Sequence, residues 1–274
     1  RIFMSTAVMN YNNIVPIEIF KDELDCEPIK RNTFTKIPNK LINSNLKSQY
    51  GINSILPYVY YLIDRHCDVT GHSYVIPSQI LNTLGYSMRR NKPNVFYSIL
   101  NSLMCLQKSN YIKMDMNLDD FCKAGYDTFI PINIISSHFY KDSNFTKIYH
   151  SDIDKIINIK STNKMETLIY VYMCICSYIT IRPRDENGKE VMYNPETKPE
   201  FFNRNIRSVS NETGVSKKSL FECLNSLTEN KLLVKRIISV KQPAIYVLNT
   251  PGWEQELNWA MQKISKFGYE ETEK

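Results

Sequence analysis

Glycine is scarce in this chain, with 8 residues in 274 against 18 tyrosines. So few glycines disfavour phosphate-cradling loops and long flexible linkers. No G-x-x-x-x-G-K-[ST] segment is present, which removes the commonest ATPase signature. The seven cysteines form no C-x-x-C pair, and most lie inside apolar runs. They read as reduced core thiols, which implies a reducing cytoplasm. No window reaches the roughly 18 uninterrupted apolar residues of a membrane span. The most apolar stretch, Thr167–Ile181, reads as a buried helix, and the N-terminus does not read as a signal peptide.

Chemistry-bearing clusters are equally sparse. The four histidines (66, 72, 138 and 150) are scattered, and no His-x-His pair accompanies a tyrosine as in nicking enzymes. His66, Cys67 and His72 lack the second ligand pair that a metal site needs. The acid pairs Asp119/Asp120 and Asp152/Asp154 suit helix starts, where carboxylates complement the helix dipole. The expectation is a protein without catalytic residues, cofactor or metal, and not an enzyme.

What the chain does have is 43% hydrophobic residues, 23% charged residues and a length that accommodates two domains. Its net charge of +6 is unevenly placed. Between Tyr86 and Lys113 stand Arg89, Arg90, Lys92, Lys108 and Lys113 with no acid at all. Between Glu200 and Thr250 eight basic residues face four acids, a net +4. A polyanion-binding surface has that kind of local excess.

Those basic stretches coincide with an internal repeat. SILNSLMCLQKSNYIKM (Ser98–Met114) and SLFECLNSLTENKLLVK (Ser219–Lys235) share spacing at an offset of 121. Ile99, Leu103, Leu106 and Ile112 fall opposite Leu220, Leu224, Leu227 and Leu233, a helical stripe followed by a short strand. Upstream, TKIPNKLIN (Thr35–Asn43) matches TFIPINIIS (Thr128–Ser136) at an offset of 93, each read as a strand that its proline ends. A long apolar helix follows in each half, Asn53–His66 and Asn163–Ile179, and then a short one, Ile76–Gly85 and Phe202–Gly214. Ser78 fits an N-cap, Pro93 a first helical turn, and Gly85 and Gly214 left-handed helix ends. KLLVKRIISV and AIYVLN, flanking Lys241–Pro243, predict a hairpin; its first-half counterpart runs from YIKMDM to DTFIPI.

Helix, helix, tight turn, helix and returning strand pair is the order of a winged helix-turn-helix. The predicted fold class is α+β, mainly helical, with two tandem winged helix-turn-helix domains and small β-wings. The expected division is an N-terminal arm or strand at 1–33, a first domain at 34–126, a second at 127–250, and a C-terminal amphipathic helix with an acidic tail at 251–274. The insertion at 182–202 is read as a surface excursion, with a dimer arm or a DNA-touching hairpin as alternatives.

A helix of this kind fits the major groove of a duplex, its first residues reaching base edges and phosphates. In the second unit those residues are Ser216, Lys217, Lys218 and Ser219, with Asn225 two turns on. In the first unit they are Arg89, Arg90, Asn91, Lys92 and Asn94. Arg236 and Lys241 on the second wing are placed to reach backbone or minor groove.

FTKIP, SILPYVYYLIDRH, SYVIPSQILNTLGYS and SILNSLMCLQKSNYIKM, with their second-half counterparts, resemble the tandem winged-helix replication initiators of bacterial plasmids and phages. The stretch also resembles the winged-helix domains of Gram-positive primosome and plasmid replication proteins. The resemblance covers about residues 34–250. It implies binding of double-stranded DNA at repeated origin sites, a homodimer, and host replication proteins as further partners, with no membrane association. A transcription regulator of the same fold and a winged-helix protein-interaction module remain the alternative functions.

Overall fold

Phe34-Thr35-Lys36-Ile37 recurs letter for letter as Phe145-Thr146-Lys147-Ile148, and the two copies pair with each other. The computed structural model describes residues 33–43, 55–88, 93–135, 145–161, 163–179, 201–237 and 243–250, with 253, 254, 257, 258, 260 and 261 of a C-terminal helical segment. About half of these residues are helical and the strands form small antiparallel sheets, an α+β architecture.

Strand β1 (Phe34–Pro38) and strand β5 (Phe145–Tyr149) form a two-stranded ribbon centred on Lys36 opposite Lys147. Like charges facing across a pair destabilise by a few tenths to about 1 kcal/mol. Each ammonium instead lies over a ring of the opposite strand, Lys36 over Phe145 at 5.0 Å and Lys147 over Phe34 at 4.9 Å. Such contacts at exposed sites contribute about 0.5–1 kcal/mol each, enough to offset the repulsion. The inward residues Thr35, Ile37, Thr146 and Ile148 are buried.

Each strand runs straight into a helix, β1 into α1 (Asn39–Asn43) and β5 into α6 (His150–Ile157). The threonines cross over. Thr35 Oγ1 lies 3.2 Å from His150 Nε2 at the start of α6, and Thr146 Oγ1 donates to Asn39 Oδ1 (2.5 Å) at the start of α1. Strand, threonine and helix start are thus related by an approximate twofold through the central lysine pair.

This arrangement corrects the expected match of Thr35–Asn43 with Thr128–Ser136. Pro38 does end β1, but Pro131 is the second residue of β4 (Ile130–Ile134), inside a central strand and opposite Tyr74. The true counterpart of Phe34–Ile37 is Phe145–Ile148.

Beyond the ribbon, the first half runs α2 (Leu56–Arg65), β2 (His72–Val75), α3 (Pro77–Thr83), α4 (Asn94–Lys108), β3 (Ile112–Met114), α5 (Leu118–Cys122) and β4. Its sheet has the order β2-β4-β3, all antiparallel. The expected hairpin between YIKMDM and DTFIPI is therefore present, and residues 130–134 of the 127–250 segment complete the sheet begun in the 34–126 segment. The second half runs α7 (Met165–Tyr178), α8 (Ile206–Thr213), α9 (Lys217–Glu229), β6 (Leu233–Arg236) and β7 (Ile245–Leu248). There, β6 pairs with β7, and Phe202 forms an isolated antiparallel bridge to Tyr246 on the other side of β7. The second sheet thereby repeats the first in reduced form.

The apolar stripes explain the packing. In α4, Val95, Phe96, Ile99, Leu103 and Leu106 are buried; in α9, Leu220, Cys223, Leu224 and Leu227 are. Helix α7 is apolar nearly all round, and every residue from Leu168 to Ser177 is buried. One continuous core joins both halves. A second cluster, Trp253, Leu257 and Ala260 with Val234, Ile245 and Val247, seats the C-terminal segment on the outer side of β6 and β7, as the amphipathic reading of that segment expects.

Polar ties cross between the halves. Arg65 on α2 donates to both carboxylate oxygens of Asp154 on α6 (2.5 and 2.9 Å), and Tyr170 on α7 donates to the Ile42 carbonyl (3.3 Å). Buried Asp152, in the first turn of α6, accepts from the Tyr172 hydroxyl. Asp119 and Asp120 lie in the first turn of α5, as expected, with Asn117 capping it.

Two expected caps differ by a position or two. Ser78 is the second, buried residue of α3, where its N–H donates to Tyr126 O (2.8 Å) and Pro77 opens the helix. Pro93 occupies the cap of α4 rather than its first turn. Gly85 and Gly214 have φ of +77° and +70°, the left-handed ends expected of them. The six described cysteines are outside any disulfide. The N-terminal arm and the bulk of the 182–202 excursion lie outside the described residues.

Two outcomes are expected. Burial and the nearby Arg65 hold the His150 pKa below the ordinary 6.5, so the neutral ring contributes stability in full above pH about 6.5 and loses it as pH falls through the folded value. The denaturant midpoint measured across pH 5–8 should therefore fall toward acid, and His150→Asn, the residue found at the equivalent position 39, should reduce that dependence. Tyr58 and Tyr170 open the same Tyr-Val-Tyr sequence, yet the Tyr58 hydroxyl is buried without a hydrogen-bond partner while Tyr170 has one. Tyr58→Phe should be neutral or stabilising, whereas Tyr170→Phe should cost about 0.5–1.5 kcal/mol in the same measurement.

Candidate nucleic-acid interface

The turn between α8 and α9 is built from local hydrogen bonds. Gly214 reverses the chain at positive φ, Ser210 Oγ donates to Val215 O (2.8 Å), and Thr213 Oγ1 accepts from the Val215 N–H (3.3 Å). Ser216 then caps α9, its Oγ accepting from the Ser219 N–H at 3.1 Å and lying 3.0 Å from Ser219 Oγ. Ser216 and Ser219 thus first serve the fold, and their hydroxyls sit at its solvent edge.

Lys217 and Lys218 open the helix and are exposed, with no acid in that turn. Cations at a helix N-terminus oppose the dipole by roughly 0.3–1 kcal/mol, so these lysines do not stabilise α9. Lys218 lies 3.9 Å from Glu222 Oε1, an exposed i,i+4 pair of little energetic weight. Asn225, also exposed, follows two turns on, on the face opposite Leu220, Leu224 and Leu227.

One member of the basic excess is engaged elsewhere. Arg204 makes a fork of hydrogen bonds to Glu212 (2.7 and 2.6 Å) and lies 4.5 Å over the Tyr178 ring, while the Tyr178 hydroxyl donates to the same carboxylate (2.5 Å). Burial alone would raise the Glu212 pKa; the guanidinium and phenol hydrogen bonds outweigh it and hold the carboxyl below its ordinary value. This cluster ties the end of α7 and the segment before α8 to α8 itself, and so sets the platform from which α9 projects. Arg236 ends β6, half-buried and itself engaged, and Lys235 beside it reaches the Tyr246 ring at 6.0 Å. Lys241 lies outside the described residues.

In the first half, Arg89, Arg90, Asn91 and Lys92 also lie outside the described residues. Their two anchors are described. On one side the Tyr86 hydroxyl donates to Glu166 Oε1 on α7 (2.6 Å). On the other, Asn94 opens α4, exposed, with its carbonyl accepting from Ser98 Oγ (3.1 Å). In sequence, those four residues stand between Tyr86, which is tied to the core, and the start of α4.

Of the expected site residues, α9 brings Ser216, Lys217, Lys218, Ser219 and Asn225 together, with Asn94 at the equivalent end of α4. Sequence reasoning missed Tyr97 and Phe221, exposed by 53% and 51% on α4 and α9. Their signal was available: both fall out of phase with the buried stripe of their helices. Among the described residues no group of three or more His, Cys, Asp or Glu is placed to hold a metal ion, and no helix is long and apolar enough to cross a membrane. The buried Cys223 thiol on α9 is pushed up to about 12 by burial, which makes it an inert core residue.

The chain matches no protein-family model, no curated protein and no solved structure.

Ser216→Ala should cost about 1 kcal/mol of stability through the lost cap, while Lys217→Ala should be neutral or slightly stabilising. Urea unfolding of the two variants checks both.

Proposed function

We propose that the chain is a sequence-specific double-stranded DNA-binding protein in which two winged-helix units present α4 and α9 to successive stretches of one duplex. The observation that carries this reading is the same order of elements occurring twice: long helix, strand or bridge, short helix, connecting segment, longer helix and returning strand pair, with the third strand between the other two. Each third helix turns its apolar stripe inward and leaves its opposite face open. Lys217 and Lys218 support it further, standing where the fold gains little from them but where a phosphate would be held by both ammonium groups and helix amides.

In this reading Ser216, Lys217, Lys218, Ser219 and Asn225 serve one half-site. Asn94 with Arg89, Arg90, Asn91 and Lys92 serves the other, and Arg236 and Lys241 contact the flanking backbone. The protein acts by occupancy, without catalysis. The tandem arrangement supports a plasmid or phage replication initiator bound at repeated origin sites, with homodimer formation and host replication proteins as its further contacts. A transcription regulator would use the same contacts. Loss of replication of an origin-bearing plasmid on deletion of this gene separates the first role from the second.

Titrating the protein into a labelled duplex at several salt concentrations should give an affinity that falls linearly with log salt. Lys217→Ala/Lys218→Ala should weaken binding and shallow the slope by roughly 1–2, at about 0.9 per lost phosphate contact. Affinity that is salt-independent, or identical in the double variant at two salt concentrations, contradicts the assignment.

A further inference from the structure

We propose that α4 and α9 read A·T base pairs through a repeated pair of side chains, an outward aromatic ring and an asparagine one turn later. The pairs are Tyr97 with Asn101, and Phe221 with Asn225. This inference rests on the duplex-binding reading and specifies which bases that duplex carries.

Large rings at 53% and 51% exposure contribute little to the core; Tyr97 lies opposite the buried stripe of its helix and Phe221 on the flank of its own. Asn101 and Asn225 are exposed, and neither side chain has a hydrogen-bond partner among the described residues. Asparagine in a helix interior costs roughly half a kcal/mol relative to alanine, so neither position is explained by helix stability. Counted from the helix start, the ring is the fourth residue of α4 and the fifth of α9, and the asparagine follows four later in each.

The outer pair is out of step with the core repeat. The buried stripes correspond at an offset of 121, which sets Tyr97 opposite Lys218 and Asn101 opposite Glu222. The ring and amide recur at an offset of 124, about one turn further along. The second pair is therefore not a by-product of the core repeat, and it stands about 60° round its helix from the place that repeat would give it.

The chemistry suits adenine and thymine. A carboxamide offers one acceptor and two donors, which match the N6 amino group and N7 of adenine in the major groove. An apolar ring edge beside it meets the thymine methyl group. Four residues of helix rise about 6 Å, or one to two base steps of about 3.4 Å. The lysines at the start of α9 supply the charge complementarity that brings the pair to the duplex.

The test is selection from a randomised duplex pool by the whole chain and by its Asn101→Ala and Asn225→Ala variants, whose exposed positions leave folding intact as checked by thermal unfolding. The wild type should enrich A·T pairs in two clusters. Each variant should flatten one cluster, losing roughly five- to a hundredfold discrimination there, while the other cluster stays as enriched as in the wild type. A selected duplex in which uracil replaces thymine lacks the methyl group. It should bind the wild type about fourfold more weakly than its thymine parent, and Phe221→Ala or Tyr97→Ala should lose that difference at its own cluster. Sequence preference unchanged in the asparagine variants, or indifference of the wild type to uracil, overturns the base-reading assignment and leaves duplex binding standing. Absence of any duplex binding, including capture of a protein partner instead through Phe221, overturns both.

Discussion

The rest of the chain is arranged around the pairing of Phe34–Pro38 with Phe145–Tyr149. A two-stranded ribbon is marginal by itself in water. This one is held by the burial of Thr35, Ile37, Thr146 and Ile148 beneath it and by the crossed threonine contacts at its ends. Because each strand leads directly into a helix, its register sets where α1 and α6 begin. Tyr170, Arg65 and Asp154 then bind those helices to α7 and α2. A slip of one residue would turn Lys36 and Lys147 into the core and the threonines outward. The outward lysines are thus a register lock as well as a solvated face.

The two third helices show how one packing solution carries two surface chemistries. The buried positions of α4 and α9 are interchangeable in kind, whereas their exposed residues differ: Asn94 opens one helix, Lys217 and Lys218 the other. Charge counting alone overstates the second face, since Arg204 is neutralised by Glu212 and helps hold α8 in place. The cation that looked available is structural, whereas the lysines at the start of α9 have only the weak Lys218–Glu222 contact as a structural role.

Much of the helical framework was legible because apolar spacing of 3.6 residues is set by burial, and burial dominates the energetics of α4, α7 and α9. Gly85 and Gly214 were legible because only glycine takes their backbone angles cheaply. The ribbon was missed because a pattern containing proline drew the match to Pro131, although an unbroken four-residue identity stood at residues 34 and 145. Proline signals a strand end only where its missing N–H would have been needed, and at position 131 it is accommodated within β4. The outward aromatics were passed over because rings in a helix are usually core, and only placement distinguishes Phe96, buried, from Tyr97, its exposed neighbour.

The distance along the chain between the two ribbon strands has a kinetic meaning. Lys36 faces Lys147 across 111 residues, so β1 has no partner until the whole first half has been made. Closing so long a loop costs entropy before any contact repays it, which places the ribbon late in assembly and slows folding relative to the local helical turns. During synthesis at about 5–20 residues per second, Phe34–Pro38 would stand unpaired for several seconds. Its alternation of a lysine and a closing proline with apolar residues is what discourages that waiting strand from pairing with a neighbouring chain. The same two residues that fit the finished ribbon therefore protect the unfinished one.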